Sequence, residues 1–223
     1  MRGVSIDYDA IRAKYSSVEY DPLVSKLRRS LPAHWQKAYR RMAGGPSNVL
    51  RFSDHGVDFL FDHVSELVDR GERSADPTAE DRIVVAFGRT NGSTGRVGQQ
   101  ESRGLLGRAA MLLGGGANRD HLPGGLLGTR LDVCLFPQRR DLGKEWTSDG
   151  RAYRAMERYC AEHPGTFVFT RPIYDSSSWW PQEIEHGLLR RDGTFWMLRF
   201  ENTAPQPLLV SLRPSWRTQV TAP

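Results

Sequence analysis

The sequence predicts an α+β fold with an antiparallel sheet, and three observations carry that assignment. Leu23, Leu27, Leu31, Trp35 and Tyr39 recur at every fourth position, the spacing that lines one side of a helix. The β-branched run Ile83-Val84-Val85, leading to Phe87, reads as a strand. Near the C-terminus, 184–189 and 194–200 flank the turn signal Arg191-Asp192-Gly193 and predict a hairpin.

Taken from the N-terminus, residues 1–21 are polar with scattered tyrosines, and Asp21-Pro22 has the form of a helix start. The periodicity over 22–42 predicts two short helices or one kinked helix, because Pro32 cannot donate to the helix ladder. Lys26, Arg28, Arg29, Lys37, Arg40 and Arg41 decorate it, as a solvated face or as a partner-binding arm. A Gly/Pro break at 44–48 follows. Val57, Leu60, Phe61, Val64, Leu67 and Val68 then keep helical spacing and predict an amphipathic helix over 53–70, capped by Ser53 or Asp54. His55 and His63 are eight apart on it, too far for a shared metal, and read as surface or capping residues. Residues 71–81 read as a linker, which divides the chain into a helical region, 1–75, and a second domain, 76–223.

The strand at 83–87 enters GRTNGSTGR, whose Asn91-Gly92 predicts a tight hairpin and which lacks the Gly-Lys-Ser/Thr ending of a phosphate-binding P-loop. A helical pattern over 102–113 ends at Gly114-Gly115-Gly116. Alternation over 131–136 predicts a strand, a helix carries Glu157, 166–169 reads as a further strand, and the tail after Asn202 is Pro-rich.

A chain of 223 residues, 39% hydrophobic and 26% charged, buries a real core, which excludes intrinsic disorder. The net charge of +5, with arginine well ahead of lysine, favours phosphate-bearing partners through forked guanidinium hydrogen bonds, although it equally serves solubility. Cys134 and Cys160 sit in apolar patterns without metal-site spacing and read as buried free thiols. No stretch approaches the roughly 20 apolar residues of a membrane span, and the N-terminus has no apolar leader segment. These features give the expectation of a cytoplasmic protein, one that a specialised secretion apparatus can export without leaving such a mark.

Chemistry-bearing residues crowd into 118–157, where Arg119-Asp120-His121 precedes a Gly/Pro turn and an apolar run, and a later helix carries Glu157. No Gly-x-Ser-x-Gly elbow supports a serine hydrolase. The order RDHL, FPQRRDL, Trp146, YRAMERY and a strand pair ending in RF-N resembles the DNA/RNA non-specific endonucleases of the ββα-metal (His-Me finger) class, particularly those of bacterial polymorphic toxins. The resemblance implies a ββα-metal nuclease core within the α+β fold, preceded by the helical N-terminal region. It implies His121 as general base, Arg119 as a phosphate clamp and Glu157 as support for the water shell of one divalent cation, Mg²⁺ or Mn²⁺. The family's metal-binding asparagine is missing. One alignment puts Gly143 there, with no side chain to ligate anything, and a second puts Asp149, whose carboxylate suits a hard cation. Asn118 and Asp120 also replace the family's Asp and Gly. Arg89 and Arg96 are candidate substrate-phosphate contacts, as are Arg154 and Arg158, which are equally candidate ion-pair partners of Glu157.

The expectation is therefore a metal-dependent, sequence-non-specific endonuclease acting on DNA and on RNA, with a toxin or defence role and a cognate immunity protein as partner. A nuclease-derived binding module without metal or activity is the alternative. A structural or cargo protein working through its N-terminal helices is a third.

Overall fold

Spacing of apolar residues by four gives one continuous helix where two short ones were also open, and the β-branched runs give strands. The computed structural model describes residues 5–15, 19–43, 46–54, 56–64, 67, 70–71, 81–90, 147–174 and 181–202, and the backbone at 117–118 and 138–139. Its helices are α1 (Tyr8–Ala13), α2 (Tyr20–Arg40) and α3 (Ser148–Glu162). Its strands are β1 (Val49–Asp54), β2 (Val57–Asp62), β3 (Arg82–Arg89), β4 (Ala117–Asn118), β5 (Gln138–Arg139), β6 (Phe167–Ile173), β7 (Glu183–Leu189) and β8 (Phe195–Glu201). Six strands form one sheet in the order β1-β2-β3-β6-β7-β8, and β4 pairs with β5 apart from it. Every pairing is antiparallel, as an α+β fold requires.

The sheet is covered on both faces. On one, Leu23, Leu27, Leu31 and Trp35 of α2 and Tyr8 of α1 bury against Phe87, Phe167 and Phe169. On the other, Met156 and Cys160 of α3 bury against Phe59, Val168 and Leu188. Alternation along each strand delivers these two sets, with one irregularity: Leu60 pairs with Val85 and Phe61 with Ile83, leaving Val84 as the extra residue of a bulge. That extra residue puts both Val84 and Val85 in the α2-side core. The chain leaves the sheet after Thr90 and rejoins it at Thr166. The Thr90 N–H donates to Thr166 O at 2.9 Å, and Gly165 N–H donates to Thr90 O at 2.7 Å.

Several expectations are corrected. Of the amphipathic helix expected over 53–70, the part up to Asp62 is instead the hairpin β1–β2, joined by a two-residue connection in which Gly56 has φ +85°, while Val64 and Leu67 beyond it are in helical backbone. Asp58 and Asp62, on this hairpin, are both buried and hydrogen-bonded. Asp58 accepts from Arg28 at 2.7 Å and Arg51 at 3.2 Å, and Asp62 accepts from the Tyr39 hydroxyl and from Asn48 N–H. Burial pushes the Asp58 carboxyl up, but the Ser53 hydroxyl and the two guanidinium groups bring it below its ordinary value. Across the expected linker, β2 and β3 are hydrogen-bonded neighbours, and described residues from both sides of it share one sheet and one core. The neighbours of β3 are β2 and β6, not a hairpin partner drawn from the residues just after Arg96. Helix α1 was not anticipated; Asp7 caps it by accepting from Ala10 N–H at 2.8 Å. The expected helix 102–113 and strand 131–136 lie outside the described residues.

One buried ion pair joins the layers. Arg171 and Glu185 are register partners on β6 and β7, and their side chains meet in two hydrogen bonds of 2.9 and 3.0 Å. The Tyr8 hydroxyl of α1 donates to the same carboxylate and accepts from Trp35 Nε1 of α2 at 2.9 Å. Burial by itself lowers the Arg171 pKa, and the Glu185 carboxylate more than reverses this. Glu185→Ala leaves the guanidinium buried and unpaired, so it is expected to lower the unfolding free energy by about 3–5 kcal/mol. The double variant R171M/E185L should recover a large part of that loss in urea titrations; equal destabilisation by both would disprove the account.

Candidate functional site

Helix α3 holds the described part of the expected site. It starts because Thr147, in extended backbone, accepts from Gly150 N–H at 2.9 Å. The cap is therefore Thr147, and Asp149 sits within the first turn, where a carboxylate is favoured by the helix dipole. Met156 and Cys160 are fully buried, which fixes the inward side. Glu157 lies on the flank of that side. Its carboxylate accepts from Arg154 Nη1 at 2.7 Å, one of the two ion-pair partners open from the sequence, while Arg158 is exposed.

Donor chemistry and helix geometry bear on a metal. Asp149 and Glu157 are eight residues apart, which is about 12 Å along the axis at 1.5 Å per residue. No single ion touches both carboxylates at that separation. Among the described residues, no cluster of three or more His, Cys, Asp or Glu is arranged to hold an ion. His121, Arg119, Arg96, Asp120 and Gly143 lie outside the described residues. The backbone of Asn118 pairs with Gln138, so β4 and β5 bracket the segment containing His121 before the chain reaches α3.

Arg89 does not sit beside Asp149. It ends β3 at the sheet end where α3 finishes and β6 begins, through the Thr90–Thr166 contacts. The helix length, roughly 20 Å from Asp149 to its last turn, separates the two. There Arg89 Nη1 donates to Asp21 Oδ1 at 2.6 Å, and its guanidinium lies 6.0 Å from the Tyr20 ring centroid. This holds the Asp21 carboxyl below its ordinary value.

Two other groups have defined chemistry. Burial, with the Glu157 carboxylate second, pushes the Cys160 thiol up to about 12, so it stays protonated and is a packing group, as expected of a free buried cysteine. Cys134 lies outside the described residues. His63 meets Asp81 at 3.4 Å, and His55 lies outside the described residues. No described helix is long and apolar enough to cross a membrane.

His186 was missed by the sequence reading, although it keeps phase with Ile184 and Leu188 on the buried side of β7. It is fully buried between the sheet and α3, with Nδ1 2.7 Å from Thr170 Oγ1 and its ring 5.2 Å from that of Tyr153. Its Nε2 has no hydrogen-bond partner among the described residues. Desolvation lowers its pKa to about 4, so this imidazole is neutral and sealed from solvent.

The linkage has a definite sign. Because the folded value lies below the unfolded one near 6.5, the unfolded chain binds more protons between the two. The stabilising preference for neutral His186 is complete above pH 6.5 and is lost as pH falls toward 4. Urea titrations should show a loss of up to about 1.4 kcal/mol per pH unit from this group, and His186→Leu should remove that increment. An unchanged acid slope in the variant would refute the assignment. Neither protein-family models nor curated proteins return a match for this chain, so the functional reading rests on its own residues.

Proposed function

We propose that the chain is a metal-dependent, sequence-non-specific endonuclease that hydrolyses DNA, and RNA as a second substrate. The observation that carries the reading is the chain order: a short antiparallel pair, β4–β5, brackets the segment of His121 and is followed by α3 with Asp149 in its first turn. The motif order of the sequence supports the same reading, and so does the surplus of arginine.

In this reading His121, neutral near pH 7, takes a proton from the attacking water, help that typically supplies roughly 10²- to 10⁴-fold. Arg119 holds the adjacent phosphate through charge-assisted hydrogen bonds. Asp149 supplies the hard oxygen donor for Mg²⁺ or Mn²⁺, and Glu157 orients the ion's water. The bound cation contributes charge neutralisation at a phosphoryl oxygen. A toxin or defence role, with a cognate immunity protein that masks the site, follows from the same resemblance.

A second reading, a nuclease-derived module that binds without cutting, is favoured by the 2.7 Å bond that ties Glu157 to Arg154. Supercoiled plasmid with Mg²⁺ or Mn²⁺, with and without EDTA, separates the two. Nicking that EDTA abolishes, and that His121→Ala lowers by about 10²-fold or more, is the expected result, with Asp149→Ala raising the metal concentration required. Undiminished nicking by His121→Ala excludes the mechanism, and metal-independent silence with retained DNA binding selects the binding module.

A further inference from the structure

At the sheet end opposite Asp149, arginine side chains from three separate elements converge. Arg12 of α1 donates through Nε to Gly193 O at 2.7 Å. Gly193, at φ +80°, has no Cβ, and one built there would lie 2.8 Å from Arg12 Nη2. Arg191, in the β7–β8 turn, lies 4.5 Å from the Tyr20 ring centroid, and Arg89 approaches the same ring. Arg190 lies 4.6 Å from the Trp196 centroid. The Arg191 backbone N–H donates to the Tyr159 hydroxyl at 3.1 Å, so the turn is fastened to α3.

Arg191 Nη2 donates to Pro164 O, and a guanidinium stacked on a ring presents its remaining edge N–H groups to phosphate oxygens. Its side chain is also ordered before any ligand arrives, which reduces the entropy lost on binding. Arg151, Arg154 and Arg158, spaced by three and four, are exposed on the outward side of α3 and run toward this same end, with Arg154 held by Glu157 at 2.7 Å in a partly exposed pair that a phosphate can displace.

We propose that this end of the sheet, with the arginine stripe of α3 leading to it, holds a polynucleotide backbone away from the reacting bond. The inference shares its ligand class with the nuclease reading and rests on that reading for the direction of the strand. The acids present do not close the surface. Asp21 occupies Arg89 in an exposed pair, which a phosphate displaces at little cost. Asp192 accepts from Thr194 N–H and Oγ1 and shapes the turn. Glu19 and Glu162 lie at helix ends on the periphery. An anionic membrane is the poorer fit, since interfacial binding needs apolar side chains to insert. Among the described residues, the exposed large apolar side chain is Leu50, on the distant edge strand β1. The span from Asp149 to the last turn of α3, roughly 20 Å, corresponds to about six base pairs at 3.4 Å each.

The test is fluorescence anisotropy of the full chain with a labelled 20-base-pair duplex in EDTA, titrated with NaCl. R190Q/R191A should weaken binding about tenfold and reduce the salt slope by about two. Arg191→Lys, which keeps the charge and loses the forked stack, should fall between. A six-base-pair duplex should bind the protein and the double variant alike. Thermal midpoints report whether the variants fold, and Arg190→Gln alone serves if Arg191→Ala does not. Unchanged affinity and slope overturn the proposal, as does competition by phosphatidylserine vesicles as effective as that by unlabelled DNA. Binding is read without cleavage, so the two ideas fail separately. A protein that binds through Arg190 and Arg191 but never cuts removes the nuclease reading alone. One that cuts while its binding ignores them removes this one.

Discussion

The buried pairing of Arg171 with Glu185 is the constraint from which the rest of the molecule follows. Two charges taken out of water are tolerated only in one geometry, and here that geometry is the β6–β7 register itself, since the two residues are direct partners. A slip of one residue would turn both side chains to the opposite face and leave each without its counter-charge. Through Tyr8 and Trp35 the same carboxylate reaches α1 and α2, so helix docking and strand register are fixed by one small polar group. Apolar packing supplies most of the driving force, and this pair selects among the arrangements that packing alone would allow.

Much of this architecture was legible in the sequence where a single period dominates. Leu23, Leu27, Leu31, Trp35 and Tyr39 all reach the core, and α2 runs through Pro32 unbroken while its apolar stripe docks on the sheet. Strands β3, β6, β7 and β8 follow their β-branched and aromatic runs. The failure up to Asp62 has a physical cause. Val57, Leu60, Phe61 and Val64 fit helical spacing, but VDFLFD also alternates, and the deciding fact was that Asp58 and Asp62 are buried beside partners distant in sequence. No local pattern shows that Arg28 and Tyr39 will be waiting for them.

The site was legible to a different degree. Helix α3 and its inward face were readable, and so was an i,i+3 partner for Glu157. The convergence at the other end of the sheet was not, because Arg12, Arg89 and Arg191 come from elements far apart in the chain and meet only after the sheet forms. Arg89 was singled out for its phosphate-binding chemistry, yet folding puts it a helix length from Asp149.

The mutual hydrogen bonds of Thr90 and Thr166 carry a consequence of their own. They pin together the two ends of a long excursion that leaves the sheet and returns to its immediate neighbour strand. For a closed segment of this kind the entropy of closure grows only logarithmically, about 0.6 kcal/mol for each doubling of length. Insertions and deletions between Thr90 and the start of α3 therefore add little closure entropy for the framework to overcome. Descent with modification can remodel that segment while the scaffold beneath it is inherited intact.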